Sequence, residues 1–261
     1  ERPIFSLLLD NEDIWVGTDG NGLKRILKNG TIENYLSDSS TNSLSDNYII
    51  DIESRKDGLW VATLDGLNYF DKSLKKFTKV YRHEGENDIA NNSLSVLFTD
   101  SKNRLWIGAD YDGLSYFDEE SETFFVLNKS KGFTDASIKS ITEDSQGNLW
   151  VGSEGLLFKL KIKNNKTNNF SASDFEITSY SSKDGFAVKQ FSHNCGIKLK
   201  TNQLVFGGTQ GVTIFDPENI IKSPNDSKIV FTRLMVNNEL AEPGKENSVL
   251  EKPIYETDEI I

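Results

Sequence analysis

The residues of this sequence whose chemistry suits ligand binding are carboxylates, amides and single tyrosines in short polar segments between apolar ones. Carboxylate and amide groups form paired hydrogen bonds with hydroxyl groups, and aromatic rings can stack on sugar rings. These residue types therefore suit a polyhydroxylated ligand, although any solvated loop contains them too. Eight residues are candidates for such a site: Asp19, Asn21, Tyr48, Asp65, Tyr111, Asp112, Glu154 and Gln190.

Other kinds of chemistry have weaker support. His83 and His193 are the only histidines, and neither has a second His or Cys nearby in the sequence. Cys195 is more typical of a small buried hydrophobic residue than of a nucleophile. Residues 19–22 and 110–113 open like calcium loops but lack the distal Glu of an EF-hand. We therefore predict no catalytic residue, no metal site and no cofactor.

The strands and loops that must position the eight candidate ligand-binding residues belong to a sequence repeat. Units aligned on Trp15, Trp60, Trp106 and Trp150 follow each other at 44 to 46 residues, and we place Phe206 in the same column of a fifth unit. A self-similar period of this length predicts a repeat architecture.

Each unit has the pattern of four short strands joined by polar turns. Apolar residues three apart mark the first strand, an apolar LWVGT-like run marks the second, and two more strands follow a Gly-Leu step. No longer window has the 3.6-residue apolar period of a helix. Four antiparallel strands repeated radially predict an all-β fold, the β-propeller. We place five blades at residues 1–42, 43–90, 91–132, 133–182 and 183–218.

The residues shared by all units are predicted to be structural. Repeats keep their common residues in the core, so we expect the tryptophan column to pack blade on blade rather than to stack on a carbohydrate. A glycine follows the second-strand apolar pair at Gly17, Gly108, Gly152 and Gly208, with Ala62 in its place in blade two, and it fits close packing, where a larger side chain would collide. These structural positions are Trp15, Trp60, Trp106, Trp150 and Phe206.

The candidates then lie on one face of the ring. In a propeller, the loops from strand two to strand three and from strand four to the next strand one emerge together, and recognition residues commonly lie on such loops. Carboxylates across the ring mouth, such as Asp65 and Asp112, leave a glycosidase or lyase open as an alternative. The sialidase box S-x-D-x-G-x-x-W fails, because its positions are not kept in successive blades. A non-catalytic protein-binding or dimerisation scaffold is a third possibility.

The composition argues against nucleic-acid binding, an internal disulfide and a membrane-spanning helix in this chain. The formal charge of −11, from 29 Lys+Arg and 40 Asp+Glu, argues against nucleic-acid binding by this region, because the phosphates would be repelled. A single cysteine excludes an internal disulfide. No run approaches the roughly 18 apolar residues of a membrane-spanning helix. We expect any membrane attachment to come from a helix absent from this chain.

The sequence pattern changes after the fifth blade. Residues 219–227 are predicted to be a linker, because Pro217 just before them, Pro224 and several polar residues interrupt the strands. Residues 228–261 alternate as strands again, but they are too few to bury much surface alone. We therefore expect the chain to be part of a longer protein.

The blades resemble the two-component regulator propeller repeat, roughly V-x-x-I-x-x-D-x-x-G-x-LWIGT-x-x-GL-x-x-F. Blade four carries this pattern almost completely from Ile138 to Leu156, and blade three carries it from Leu94 to Phe117. Blades one and two have a first turn one residue shorter, and Arg55 stands where Asp is usual. Residues 228–261 resemble the first, incomplete part of the three-tyrosine Ig-like domain that follows such propellers.

The resemblance implies a periplasmic sensor region of a hybrid two-component system, anchored in the inner membrane. The five blades would then belong to a seven-bladed propeller, although a closed five-bladed ring stays open as an alternative. The family implies an oligosaccharide ligand derived from a glycan, a homodimeric full-length protein, and histidine kinase activity elsewhere in that protein. Which sugar binds, and where, is not encoded in a recognisable pattern.

Overall fold

The structure is a computed structural model that describes residues 2–38, 40–134, 137–163, 166, 168–186, 190–220, 233–236, 239–243 and 252. The chain divides into two compact units, residues 1–222 and 223–261. The described part of the first unit contains five antiparallel sheets with strands in sequential order. This confirms the predicted all-β propeller of four-stranded antiparallel blades.

The first two blades have four strands each. Blade one contains β1 (Ile4–Asp10), β2 (Asp13–Thr18), β3 (Leu23–Ile26) and β4 (Ile32–Tyr35). Blade two contains β5 (Ile49–Arg55), β6 (Gly58–Thr63), β7 (Gly66–Asp71) and β8 (Lys76–Tyr81).

Blades three and four follow the same plan. Blade three contains β9 (Leu94–Thr99), β10 (Leu105–Ala109), β11 (Leu114–Asp118) and β12 (Thr123–Leu127). Blade four contains β13 (Ile138–Glu143), β14 (Leu149–Ser153), β15 (Leu157–Ile162) and β16 (Phe175–Tyr180).

Blade five has three strands among the described residues, β17 (Phe191–Lys198), β18 (Leu204–Gly208) and β19 (Gly211–Phe215). The helical content of the described part is confined to short 3-10 turns at Lys129–Lys131, Ala172–Asp174 and Ser182–Asp184. None of the described helices is long and apolar enough to cross a membrane.

The tryptophan column packs one blade on the next. All four indoles are buried. The Trp15 ring lies 5.1 Å from Phe70 of blade two, and the Trp60 ring lies 5.1 Å from Phe117 of blade three, both edge to face. Trp150 repeats this contact with Phe215 of blade five at 5.0 Å. Such aromatic pairs add to the stabilisation from burial alone.

In blade five, the strand register places Val205, one residue before Phe206, at the position that tryptophan occupies in the other blades. Val205 pairs with Ile214, as Trp60 pairs with Tyr69 in blade two, whereas Phe206 pairs with Thr213. Phe206 is fully buried and belongs to the core cluster shared with blade four. Adjacent strand residues point to opposite faces, so the sequence alignment that equated Phe206 with Trp is one residue out, and Val205 holds the Trp position.

The repeated glycine lets the next blade approach closely. A Cβ added to Gly108 would lie 2.5 Å from Val96 Cγ1 and 2.6 Å from Ile138 Cγ2. A Cβ added to Gly17 would lie 2.9 Å from Ile49 Cγ2, at the start of the next blade's first strand. All three distances are shorter than real carbon contacts, so these positions need glycine for space.

The repeated Asp of blades three and four holds the tryptophan in place. The indole Nε1 of Trp106 donates to Asp100 Oδ2, and that of Trp150 donates to Asp144 Oδ2, each at 2.9 Å. The other oxygen of Asp144 accepts from the backbone N of Gln146 and Asn148, both at 2.9 Å. The single carboxylate of Asp144 therefore both closes the turn and holds the indole of Trp150 in place.

Two apolar faces of the propeller are uncovered in the part of the chain that the structure describes. Leu7 of blade one is 65% exposed, although Ile52 at the same register position of blade two is 4% exposed. Ile32 is 54% exposed against 2% for its equivalent Phe77. In blade five, Val205 lies in a cross-strand row with the exposed side chains of Ile197 and Ile214.

The second unit is described as a short antiparallel pair, β20 (Met235–Val236) and β21 (Glu239–Leu240). The predicted linker 219–227 is described only to Ile220, and the side-chain amide of Asn219 there donates to Asp216 at 2.7 Å. Most of the predicted Ig-like segment 228–261 lies outside the described residues.

Candidate functional site

The site is built on the first strand of each blade. These strands, β1, β5, β9, β13 and β17, contact one another in chain order and line the axis of the ring. Each strand enters from the loop face, so its first residues and the adjoining strand-two loops meet at one mouth. The repeat geometry therefore brings residues far apart in sequence to one place.

Asp51 joins three other blades to its own beneath this mouth. Its carboxylate accepts from Ser6 Oγ at 2.9 Å and from the backbone N of Leu97 at 2.8 Å, and it also bonds the side chain of Asn194. Burial raises the pKa of Asp51 above its ordinary value, although these hydrogen bonds act in the opposite direction. A buried carboxylate needs such partners, and here they tie blades one, three and five to blade two.

A cavity of about 540 Å³ opens at this mouth, which we call the channel mouth. Its lining combines an apolar wall with polar groups and comes from blades one, two, three and five. The apolar residues are Ile4, Phe5, Ile50, Leu64 and Leu94, and the polar residues are Asp19, Tyr48, Asp110, His193 and Asn194. A largely apolar cavity with a few convergent polar groups is typical of small-molecule sites.

A charged cluster forms one side of the cavity. Lys139 Nζ lies 2.9 Å from Asp110 Oδ1 and 3.3 Å from His193 Nε2. Ser93 Oγ donates to the other oxygen of Asp110 at 3.1 Å. The cluster offers both donors and acceptors from blades three, four and five, which suits ligand hydroxyl groups.

Tyr48 supplies the aromatic surface of the mouth. Its side chain is partly exposed, and its ring lies over Gly20, where an added Cβ would be 3.3 Å from Tyr48 Cζ. Gly20 also has φ of +77°, a conformation that side-chain-bearing residues rarely adopt. The loop of blade one therefore acts as a platform that orients the ring of blade two.

The structure brings two of the eight predicted residues, Asp19 and Tyr48, into this cavity. Asp112 instead lines a second cavity of about 590 Å³ beside His83 and Lys131, and its Oδ2 accepts from Asn91 Nδ2 at 3.1 Å. Asp65 is ion-paired with Arg82 at 2.9 Å.

The other four candidates lie apart from the channel mouth. Tyr111 is 66% exposed, and Asn21 and Glu154 are exposed as well. Gln190 is exposed, and its backbone carbonyl accepts from the N of Thr209 at 3.1 Å. Their side chains remain available on the loop face, but they do not converge with Asp19 and Tyr48 in the cavity.

Sequence reasoning missed the residues that the first strands contribute. Asp51 is a polar residue between Ile50 and Ile52 in the apolar start of β5, whereas Lys139 and Asn194 lie in first strands with several other polar residues. Only Asp51 therefore offered a signal in the sequence, because a polar residue in an apolar, axis-facing run needs a partner from another blade. Among the residues described, no group of three or more His, Cys, Asp or Glu side chains is placed to hold a metal ion.

Comparison with known proteins agrees with the repeat pattern. Residues 132–155 match the family described as two component regulator propeller. The chain is also similar to "Histidine kinase P4" of Formosa agariphila, with 27% identity over 268 residues that cover 97% of this chain. The chain spans 18% of that protein's length.

Solved structures share the fold. The extracellular domain of a hybrid two-component system of B. thetaiotaomicron matches with a TM-score of 0.66 and 21% identity, over 92% of this chain and 33% of that one. A second such domain from B. thetaiotaomicron matches with a TM-score of 0.54 and 17% identity, over 93% of this chain and 38% of the other. The chain is thus a β-propeller, as its sequence pattern predicts, and its residues 132–155 match the two-component regulator propeller repeat.

Proposed function

We propose that this chain is part of the extracytoplasmic sensor region of a hybrid two-component signalling protein. The regulator repeat at residues 132–155 and the similarity to a histidine kinase support this role. The proposal places the propeller in the periplasm, with the protein anchored in the inner membrane by a helix outside this chain. The propeller senses and has no catalytic activity, and the histidine kinase lies elsewhere in the longer protein, which acts as a homodimer.

The proposed ligand is an oligosaccharide derived from a glycan, bound at the channel mouth. The observation that carries this proposal is the cavity of about 540 Å³, where the Tyr48 ring and the polar groups of Asp19, Asp110 and His193 converge. An aromatic surface beside mixed donors and acceptors suits a sugar ring with its hydroxyl groups. The volume lies within the range of about 300–1,000 Å³ for small-molecule sites.

The proposed signal depends on contacts with several blades. A ligand shifts a conformational equilibrium only when it binds one arrangement more tightly than another. A ligand at the mouth would touch four blades whose first strands are joined through Asp51. We propose that the change passes through residues 219–227 and the following Ig-like segment to the kinase. Signalling that survives replacement of 219–227 by a flexible linker would contradict this route.

A thermal-shift screen of the complete extracytoplasmic region against defined glycan oligosaccharides tests the function. Binding to the folded state raises the melting temperature in a concentration-dependent way. We expect one oligosaccharide to do so without product formation. Tyr48→Ala should abolish the shift, whereas Tyr111→Ala, which removes an exposed tyrosine outside the cavity, should retain it.

The other outcomes identify the alternatives. Product formation would indicate a glycosidase or lyase. A panel without any shift would favour a scaffold that binds protein, for which the uncovered apolar faces of blades one and five offer surface. Equal loss of the shift in Tyr48→Ala and Tyr111→Ala would place the ligand away from the channel mouth.

A further inference from the structure

The first strand of every blade is irregular at the same register position. In β1, β5, β9 and β13 the pairing with the second strand skips one residue: Phe5, Ile50, Ser95 and Lys139. In β17 the skip is longer, because residues 192–195 stand opposite Gly207 alone. Each skip is a β-bulge, which takes a side chain out of the regular alternation of a strand and aims it elsewhere. We call the skipped residues the bulge residues.

The bulges bring side chains from several blades to the channel mouth. Four bulge residues from three blades line its cavity: Phe5, Ile50, His193 and Asn194. The bulge residue of blade four, Lys139, bonds two lining residues through its Nζ. Blade three is the exception, because the hydroxyl of Ser95 is buried and donates to the carbonyl of Ile138 at 2.6 Å. One register position of the repeat therefore supplies much of the lining of a single cavity.

Asn194 is held in a defined orientation from below the cavity. Its backbone has φ of +49°, a left-handed conformation that residues other than glycine seldom adopt, and its side chain bonds the buried carboxylate of Asp51. Donors from Ser6, Ile52 and Leu97 point at the same carboxylate. A carboxylate surrounded by donors accepts, so Asn194 gives it the amide N–H and leaves its Oδ1 as the free end at the cavity.

The bulge residues give the cavity two kinds of lining. Phe5 is 48% exposed and belongs with Ile50 to the apolar lining from blades one and two, whereas Asn194 of blade five belongs to the polar lining. No Lys or Arg is among the described lining residues, and the ammonium of Lys139 behind them is paired with Asp110 at 2.9 Å. The cavity therefore offers no unpaired ammonium or guanidinium group to a carboxylate or sulfate of a ligand.

We propose that the bulge residues of the first strands determine which ligand the channel mouth accepts. They select an uncharged oligosaccharide, whose less polar ring face packs on Phe5 and Ile50 and whose hydroxyl group donates to Asn194 Oδ1. A sugar ring has this amphipathic character, with C–H groups on a face and hydroxyl groups at the edge. The selectivity rests on the proposed sensor function, since it belongs to the same cavity, and it adds the residues and the ligand charge that decide binding.

Isothermal titration calorimetry of the complete extracytoplasmic region tests this selectivity. The neutral probes are cellobiose, laminaribiose, maltose, mannobiose and xylobiose, and the acidic probe is digalacturonic acid. We expect saturable binding of at least one neutral disaccharide and none of digalacturonic acid. Binding of digalacturonic acid as tight as that of the best neutral disaccharide would overturn the preference for an uncharged ligand.

Substitutions at the bulges test the named residues. Asn194→Gly, which suits the left-handed backbone, should raise the Kd of that disaccharide about tenfold, because its hydroxyl group loses an acceptor. Asn202→Gly is the matched control and should leave the Kd unchanged, since Asn202 also has a positive φ, of +66°, but lies in the turn between β17 and β18. Phe5→Ala should also raise the Kd, whereas Leu74→Ala, which removes an exposed side chain outside the cavity, should not.

The order of affinities separates recognition from a merely structural role. Ile50→Ser should change that order among the neutral disaccharides, and melting temperatures without sugar check that each variant is folded. If Asn194→Gly and Phe5→Ala bind a disaccharide as the wild type does, the bulges do not determine specificity, although the sensor function stands. If none of the five neutral disaccharides binds, the proposal fails together with the proposed ligand class.

Discussion

At the scale of single residues, two carboxylates with similar places in the repeat have different roles. Asp144 is buried and holds both its own turn and the Trp150 indole, whereas Asp10 pairs with Lys72 and leaves Trp15 without an acceptor. The difference follows from turn length, because one residue changes whether the carboxylate points at the indole. An Asp at a similar position of the repeat can therefore be structural in one blade and peripheral in another.

Asp144→Ala should lower the free energy of unfolding by about 1–3 kcal/mol, because it leaves the Trp150 N–H and two turn amides without their acceptor. Asp10→Ala is the control and should cost about 1 kcal/mol or less, as expected for a partly exposed ion pair. Urea unfolding measures both. Equal losses in the two variants would contradict the assigned role of Asp144.

Glu53 makes stability depend on pH. Burial, and then the charge of Asp51, raise the pKa of Glu53 from 4.5 to about 7. The folded state therefore binds a proton that the unfolded state releases, and stability should fall as pH rises from about 4.5 through 7. Glu53→Gln should reduce this slope and be more stable than the wild type at pH above about 7. Unfolding curves with an unchanged slope in the variant would show that another group carries the dependence.

At the scale of elements, the blade interfaces combine an aromatic ring with a glycine that admits the next first strand. The ring fills the space between blades, and the missing Cβ allows the strands near the axis to come close. Second strands are consequently covered on both faces, and every residue of β6, β10 and β14 is buried. Space, rather than backbone conformation, explains the glycine at Gly108 and Gly17.

Gly108→Ala should destabilise the protein by about 1–3 kcal/mol, since the added methyl group overlaps Val96 and Ile138 and forces the two blades apart. Gly85→Ala is the matched control, because an added Cβ there meets nothing within 4 Å. Thermal or urea unfolding of both variants gives the comparison. A neutral Gly108→Ala would mean that the blades can separate without loss of packing.

At the scale of the whole molecule, blades one and five each expose an apolar face in the part of the chain that the structure describes. Leu7 and Ile32 occupy positions that are buried in blade two by the preceding blade. The row of Ile197, Val205 and Ile214 replaces the tryptophan face by which other blades contact the following one. We propose that further blades of a longer polypeptide cover these faces, as the larger propeller implied by the resemblance would supply.

This interpretation predicts a context-dependent substitution. In the 261-residue chain, Leu7→Ala should change stability little because Leu7 is largely exposed, whereas Ile52→Ala should cost about 2–5 kcal/mol. In a longer protein whose further blades cover this face, Leu7→Ala should become as costly as Ile52→Ala. If Leu7→Ala stays neutral there, no blade packs on this face.

The sequence by itself determined the repeat, the fold class and the strand order, because each blade is a local unit whose strands are adjacent in the chain. Its period identified Trp15, Trp60, Trp106 and Trp150 directly, since local apolar pattern and turn residues suffice for that purpose. The sequence period did not show that Val205, rather than Phe206, occupies the tryptophan position, because strand register depends on cross-strand pairing and not on composition.

Only the tertiary structure decided which polar residues converge. Asp19 and Tyr48 meet Asp110, His193 and Asn194 because the first strands of different blades share one axis. Similarly, only the structure shows that the buried Trp60 N–H has no hydrogen-bond partner. Contacts between blades join residues more than forty positions apart, and no local sequence pattern reports the distances that make them a site.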